Sequence, residues 1–290
     1  MRTALGSLLA ALMLLPGLSA QDRPLPDLQA FLAQVRTRLQ PDESRTSGWV
    51  YVETRRERKL DASGRTTKET VEVFERYPGL PGEPRWERLI SKDGVPVSDA
   101  DLAKADRKRQ QKAMDYARRL QREPARVQAE EARARDKERR ELEASIDDAL
   151  RIYDIRMLGR ETIGGHGTIA FSFTPRPGVR PQTKEGKVIR HFAGKAWVSE
   201  TEYELVRLEA EALDTVSFGL GLLARVHKGS KAEFERRKVN DEVWLPAFAS
   251  YTASARVLLV RRLRIGGTSE YSDYRKFSVA TETKVGGKKE

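Results

Sequence analysis

The sequence predicts a mainly β chain of the α+β class, built on a long antiparallel sheet with one helix before it and a helical segment inserted into it. Strand-length stretches recur throughout the second half, as in Phe192-Ala193-Gly194-Lys195-Ala196-Trp197-Val198 followed by Tyr203-Glu204-Leu205-Val206-Arg207-Leu208-Glu209-Ala210. They alternate in polarity and end in turn residues such as Lys228-Gly229-Ser230. Residues 98–150 break this rhythm with a run of strong helix formers.

Pro26-Asp27 opens the first helix, with Asp27 as N-cap and Leu28, Phe31, Leu32, Val35 and Leu39 on one stripe at helical spacing; Pro41 ends it. From Gly48 to Glu57 a strand places Trp49 and Tyr51 on one face and Val50 and Val52 on the other. Asp61-Ala62-Ser63-Gly64 turns the chain, and Thr66 to Tyr77 returns with Val71, Val73 and Tyr77 opposite Phe74. Pro84 to Ser91 forms a third strand with Trp86, Arg88 and Ile90 on one side, closed by the turn Lys92-Asp93-Gly94.

Ser98 starts the helical segment. Pro124 inside one continuous helix would cost about 3 kcal/mol, so two helices are expected, the second beginning at Pro124. Their apolar stripes are thin and their middle has little to bury, so the pair is expected to project into solvent. Strands resume near Ile152, with a hairpin at Gly164-Gly165-His166-Gly167 and a polar loop from Pro175 to Gly186. From Lys187 to Val279 the chain reads almost wholly as strand, with turns near residues 200–202, 219–221, 228–230, 239–241 and 266–267. Ser250 to Val260 is one long strand, and the tail from Thr281 is polar.

Composition bounds the partners. The chain has 290 residues, 54 Lys and Arg against 43 Asp and Glu, and a net charge of +11, which favours anionic partners such as phospholipid head groups. With no cysteine, disulfides, thiolate metal sites, a cysteine nucleophile and a lipidated N-terminal cysteine are all excluded. Arg2, the apolar run from Ala4 to Leu15, the break at Pro16-Gly17 and the small residue Ala20 fit a secretory signal over residues 1–20. A soluble periplasmic protein beginning near Gln21 is expected.

Leu158-Gly159-Arg160-Glu161-Thr162-Ile163-Gly164-Gly165-His166-Gly167 with Phe173-Thr174-Pro175-Arg176-Pro177, Gly194-Lys195-Ala196-Trp197-Val198 with Leu205-Val206-Arg207-Leu208-Glu209, Val239 to Pro246, and Tyr271 to Phe277 together resemble the strands and turns of the LolA/LolB-like carriers of the bacterial periplasm. The resemblance covers most of residues 151–279 and, more loosely, 27–97. It implies an incomplete antiparallel β-barrel, a half-barrel wrapped around the N-terminal helix, with an apolar cavity for acyl chains. Residues 21–290 would then form a single domain, with 98–150 as a charged insertion longer than that family's lid helices. The missing cysteine favours a soluble LolA-like form over a lipid-anchored receptor.

A carrier must shelter hydrocarbon, each buried CH₂ being worth about 0.8 kcal/mol. Trp49, Tyr51, Trp86, Phe171, Phe173 and Trp197 are the candidate lining residues, and packing against the first helix as ordinary core is the alternative for each. Arg118, Arg119, Arg122, Arg126, Arg133, Arg135, Arg139 and Arg140 are the candidate basic side chains for a partner protein or an anionic membrane surface. His166, His191 and His227 have no neighbour at metal-ligand spacing, and neither a G-x-S-x-G elbow nor a P-loop is present. No catalytic group, cofactor or metal is assigned, and no nucleic-acid partner is expected. Consecutive charges at Arg55-Arg56-Glu57-Arg58-Lys59 argue against an outer-membrane barrel. The expected function is periplasmic binding or carriage of a lipid, a lipoprotein acyl chain or another hydrophobic ligand. The alternative is a non-enzymatic envelope scaffold that docks through the charged helices.

Overall fold

The computed structural model describes residues 23–39, 46, 48–79, 85–218, 224–257 and 261–277. The expected signal peptide, the turn at 219–221 and the polar tail lie outside these residues. Helix α1 (Leu28–Arg38) starts where the Asp27 carboxylate accepts from Ala30 N at 2.8 Å. Strands β1 (Trp49–Leu60) and β2 (Thr66–Tyr77) form a hairpin around Asp61, whose carboxylate accepts from Ser63 and Arg65 and is held down to about 2 by those bonds. Strands β3 (Trp86–Lys92) and β4 (Val95–Pro96) follow. The charged segment is two helices, α2 (Asp99–Arg122), capped by Ser98, and α3 (Pro124–Ile152), with Pro124 in its first turn, where a missing N–H is harmless.

The chain then runs through β5 (Tyr153–Ile163), β6 (His166–Pro175), a short helix α4 (Lys184–Ile189), β7 (Phe192–Ser199), β8 (Leu205–Ala212), β9 (Val216–Phe218), β10 (Ala224–Val226), β11 (Lys231–Val239), β12 (Val243–Val257) and β13 (Arg261–Lys276). The main sheet has the order β4-β3-β2-β1-β13-β12-β11-β8-β7-β6-β5, with β10 and β9 attached beyond β12. Each adjacent pair is antiparallel, and β4 and β5 stand at opposite edges without meeting. The architecture is therefore an incomplete antiparallel barrel.

Two local expectations are corrected. Gly266 and Gly267 do not turn the chain; they lie inside β13, opposite Thr252 and Tyr251, because glycine in a strand also marks close approach of a neighbour. Part of the expected polar loop is α4, capped by Thr183 and tied to α3 by the buried Asp148 carboxylate. That carboxylate accepts from Gln182 N, Thr183 N and Thr183 Oγ1 at 2.8–2.9 Å. The expected hairpin at 239–246 is present, turning between Val239 and Val243, with Pro246 inside β12 where the pairing with β11 shifts register, a position that tolerates a residue without an N–H.

Apolar packing holds α1 on one face of the sheet. Phe31 and Val35 bury against Ile169, Phe171 and Val198, with Ile155 and Met157 from the edge strand beside them. Burying side chains of this size is worth about 1.5–3 kcal/mol each. The Phe31 ring lies 5.6 Å from Phe171 and 5.1 Å from Tyr203. Arg160 fixes the segment leading into α1: its guanidinium donates to the carbonyls of Arg23 and Pro24 while pairing with Glu200 at 2.8 Å. A second cluster joins Trp49 to Val239, Val243 and Leu245.

Candidate ligand-binding face

Side chains directly opposite one another in a sheet share a face, so cross-strand pairs can be followed laterally. One such row runs Met157, Phe171, Ala196, Leu208, Phe234, Ala249, Ser269, Arg55, Glu72. The neighbouring row runs Ile155, Phe173, Gly194, Ala210, Ala232, Tyr251, Gly267, Glu57, Thr70. Both rows are apolar from β5 to β12 and polar from β1 onward. This is the face that carries α1.

The apolar cluster under helix α1 spans β5 to β7 and reaches Leu205 at the start of β8. Beyond it, Ala196, Leu208, Ala210, Phe234 and Ala249 are half-buried, and Ala232 and Tyr251 are exposed. The strip has a low floor. A Cβ on Gly194 would collide with the Glu209 carbonyl and come within 2.9 Å of Phe173 Cζ, and one on Gly267 would collide with the Tyr251 ring. Gly194 thus lets Phe173 lean over β7, and Gly267 lets Tyr251 lie over β13. Between these rings stand only Ala210 and Ala232. The result is an open apolar trough across the middle strands, bounded at its ends by Phe173 and Tyr251 and flanked along one side by the directly opposed pair Leu208 and Phe234.

At the polar end Glu53 is 1 % exposed. It accepts from Arg55 Nε and Nη2 at 3.1 and 3.2 Å and from Ser269 Oγ at 2.8 Å, and Arg76 Nε lies 2.6 Å away. Burial pushes the Glu53 carboxyl up, but the bonds from Arg55 and Ser269 and the nearby charges outweigh it and hold the group below the usual carboxylate range. The Arg55 guanidinium also lies 4.6 Å over the Phe74 ring. Next to this cluster a cleft of about 210 Å³ is lined by Arg55, Glu57, Ala249, Tyr251, Gly267 and Ser269 together with their strand neighbours.

The aromatic residues singled out from the sequence are spread more widely than a single lining would be. Phe173 borders the trough, with its ring 5.0 Å from Tyr153. Phe171 shares its face but is sealed beneath α1. Tyr51 lies on that face at the polar end, buried between Tyr271, Tyr274 and the Arg85 guanidinium. Trp49 is core, with Lys276 Nζ 5.8 Å from its ring. Trp86 and Trp197 are on the opposite face. Trp86 pairs with Tyr77 and lies beneath the Arg109 guanidinium at 4.7 Å. Trp197 pairs with Ala170 and donates its indole N–H to Glu161 at 2.8 Å. Leu208, Phe234 and the small residues of the floor were not singled out as lining. Their signal is an alternation of small side chains along β7, β8 and β12, visible only once the register is known.

The two long helices form a hairpin braced by Tyr116 donating to Glu131 at 2.7 Å and by Arg119 pairing with Glu130 at 3.0 Å. Arg88 on β3 anchors it by pairing with Asp106 at 2.8 Å. Of the basic residues named from the sequence, Arg118 pairs with Asp115, Arg126 with Glu123 and Glu130, Arg135 with Glu131, and Arg139 with Asp136 and Glu143. Arg122, Arg133 and Arg140 are exposed and have no ion-pair partner among the described residues. Lys104, Arg107 and Lys108 are likewise exposed and unpaired, and at 100° per residue they share one side of α2 with Arg118 and Arg122.

His166 packs its ring 4.8 Å from Trp244, His191 Nδ1 lies 2.6 Å from Asp214 Oδ1, and His227 Nδ1 lies 3.5 Å from Thr215 Oγ1. Among the described residues no group of three or more His, Cys, Asp or Glu is placed to hold a metal ion. Nor is any helix among them long and apolar enough to cross a membrane.

No protein-family model matches the chain, and no curated protein matches it. Among solved structures it is similar to an outer membrane lipoprotein-sorting protein domain of Vibrio parahaemolyticus, with TM-score 0.33, 9% identity, and 88% of this chain and 95% of that chain covered. It is similar to a LolA superfamily protein of Nitrosomonas europaea, with TM-score 0.27, 10% identity and coverage of 88% and 95%. It is also similar to the MucA/MucB complex of Pseudomonas aeruginosa, with TM-score 0.24, 8% identity and coverage of 88% and 100%. At these scores the likenesses carry no argument about what this chain does.

Proposed function

We propose that this protein is a non-enzymatic carrier of the bacterial envelope that shelters acyl chains on the α1 face of its half-barrel. The observation that supports this reading is the trough itself. Its apolar walls and its glycine and alanine floor continue the core beneath α1, yet Ala232 and Tyr251 stay exposed and Leu208, Ala210, Phe234 and Ala249 are only half-buried. An uncovered apolar strip inside a sheet loses the hydrophobic stabilisation that a cover would supply, about 25 cal/mol for each Å² removed from water. An extended hydrocarbon chain is the occupant that fits. It is narrow enough to lie over Gly194, Ala210 and Ala232, and it needs no hydrogen-bonding groups from the floor. Residues 1–20 are read as the export signal and residues 21–290 as one domain, which puts the carrier in the periplasm.

The test is native mass spectrometry of the full exported protein purified from its own envelope fraction, followed by titration with a fluorescent long-chain fatty acid. Co-purifying acyl lipid at one molecule per chain and saturable uptake are the expected results. A clean apoprotein that takes up no fatty acid removes the reading.

A second reading has its own observation. Lys104, Arg107, Lys108 and Arg122 form an unpaired basic side of α2, suited to an anionic membrane surface. The two readings are compatible, because a carrier must meet the membrane that loads it. Salt-dependent co-sedimentation with anionic vesicles, lost when these four residues are changed to Gln, is the expected result. Binding that is insensitive to salt and to these changes contradicts it.

A further inference from the structure

The cleft at the polar end of the trough has a composition that a simple fatty acid would not use. At about 210 Å³ it is smaller than the 300–1,000 Å³ typical of pockets that enclose a whole small-molecule ligand. It opens beside Ala249 and Tyr251, the last apolar positions of the two lateral rows. A ligand lying along the trough therefore reaches it with one end only.

Three groups on the trough side of the cleft differ in character. Glu57 is exposed and has no hydrogen-bond or ion-pair partner among the described residues. Tyr251 faces Gly267, the next residue along the same row is Glu57, and the ring is partly open to solvent. Arg55 uses Nε and Nη2 on Glu53 and also holds Nη2 3.6 Å from Glu87 Oε1, while Nη1 makes none of those contacts. Arg56 also lines the cleft, but its guanidinium pairs with Glu270 at 3.0 Å. The Tyr251 hydroxyl is raised above its ordinary value by burial and then by the Glu57 charge, while the Arg55 charge opposes the shift. Both charges thus act on this ring.

We propose that the cleft receives the head of the same ligand and selects a zwitterionic, ammonium-bearing head group, with the ammonium held by Glu57 and the Tyr251 ring and the phosphate by Arg55. A carboxylate and an aromatic face together are a cation site, since the ring quadrupole attracts an ammonium and the carboxylate neutralises it. Arg55 and Glu57 are two residues apart on one face of β1, about 6–7 Å along the strand, and both line the cleft, so an aminoethyl phosphate, whose opposite charges are separated by a two-carbon link, can address both. Arg55 is already shared between Glu53 and Glu87, so a purely anionic head would meet one largely neutralised cation and the uncompensated Glu57 carboxylate. The assignment rests on the carrier reading and adds the class of lipid to it.

The test measures dissociation constants by calorimetry for dihexanoyl phosphatidylethanolamine and dihexanoyl phosphatidylglycerol, which share their tails and differ in the head. The expected result is about fivefold tighter binding of the ethanolamine lipid, with Glu57→Gln bringing the ratio close to one. Equal affinities in the unaltered protein, or a preference that persists in Glu57→Gln, overturn the head-group assignment and leave the carrier reading standing. If neither lipid binds while the protein is folded by circular dichroism, both the carrier reading and the head-group assignment fall.

Discussion

Glu53 and Arg55, two residues apart on one face of β1, meet through both carboxylate oxygens, with Arg55 Nε 3.1 Å from Oε1 and Nη2 3.2 Å from Oε2. Arg76 and Ser269 bring β2 and β13 to the same carboxylate. One buried anion therefore ties together the three strands at the polar end of the binding face. Removing one partner of such a cluster leaves charge buried without compensation. Glu53→Ala is expected to destabilise the protein by about 3 kcal/mol in urea denaturation. A loss below 1 kcal/mol would show that the cluster does not hold the strands.

The same carboxylate sets a pH dependence. Its folded-state pKa lies below the unfolded value, so its contribution to stability is fully present above the unfolded pKa of about 4.3 and is lost as pH falls through the folded pKa. Glu75, Glu202 and Asp148 are shifted in the same direction. In each, burial raises the pKa and hydrogen bonds from partners overcome it. Thermal melts are expected to be flat near neutrality and to fall steeply below about pH 4, less steeply in Glu53→Gln. Stability that rises on acidification would contradict the sign.

Asp148 is the buried link between α3 and α4. Gln182 N, Thr183 N and Thr183 Oγ1 donate to one of its oxygens, and Arg151 donates to the other at 2.6 Å. Asp148→Ala is expected to cost about 2 kcal/mol by leaving buried donors unpaired. Hydrogen exchange should show the loss of protection concentrated at 182–190. Protection that is unchanged there would mean α4 is held by other contacts.

The helical hairpin is separable only in its outer part. Residues 110–137 are largely exposed, whereas Asp106 and Arg109 contact β3 and its neighbours, and Ile146, Asp148 and Ile152 are buried. Replacing 110–137 by a short Gly-Ser linker is expected to leave the melting temperature of the sheet within a few degrees and to weaken adsorption to anionic vesicles. Collapse of the fold would show that the outer hairpin belongs to the core.

Much of the fold is legible in residue order because local chemistry and tertiary structure agree. Asp27 caps α1, its apolar stripe carries Phe31 and Val35 into the core, and Pro124 divides the charged segment into α2 and α3. The binding face is less legible. Alternation tells which residues of one strand share a side, but the register between strands decides which side that is. Trp86 and Trp197 look like lining residues until pairing with Tyr77 and Ala170 puts them on the other face. Register shifts between Val73 and Phe74 and between Trp197 and Val198 add to the ambiguity, since each bulge resets the alternation. Gly266-Gly267 reads as a turn for the same reason: glycine permits close approach as well as reversal, and only the Tyr251 ring across the pair distinguishes them.

Ala232 offers a probe of the trough that does not disturb the core. It is exposed on the face, between Ala210 and Tyr251. Ala232→Trp is expected to fill the trough, leave stability within about 0.5 kcal/mol, as for exposed substitutions generally, and reduce fatty-acid uptake at least tenfold. Unaltered uptake would mean that hydrocarbon binds elsewhere.

The most direct measurement is methyl NMR of the alanine-labelled protein titrated with a dodecyl-chain ligand. The account predicts saturable shifts and intermolecular NOEs at Ala196, Ala210, Ala232 and Ala249, while Ala170, on the opposite face, stays unperturbed. Shifts confined to other methyls, or no NOE from the chain to any of these four, would contradict an acyl-binding trough on the α1 face.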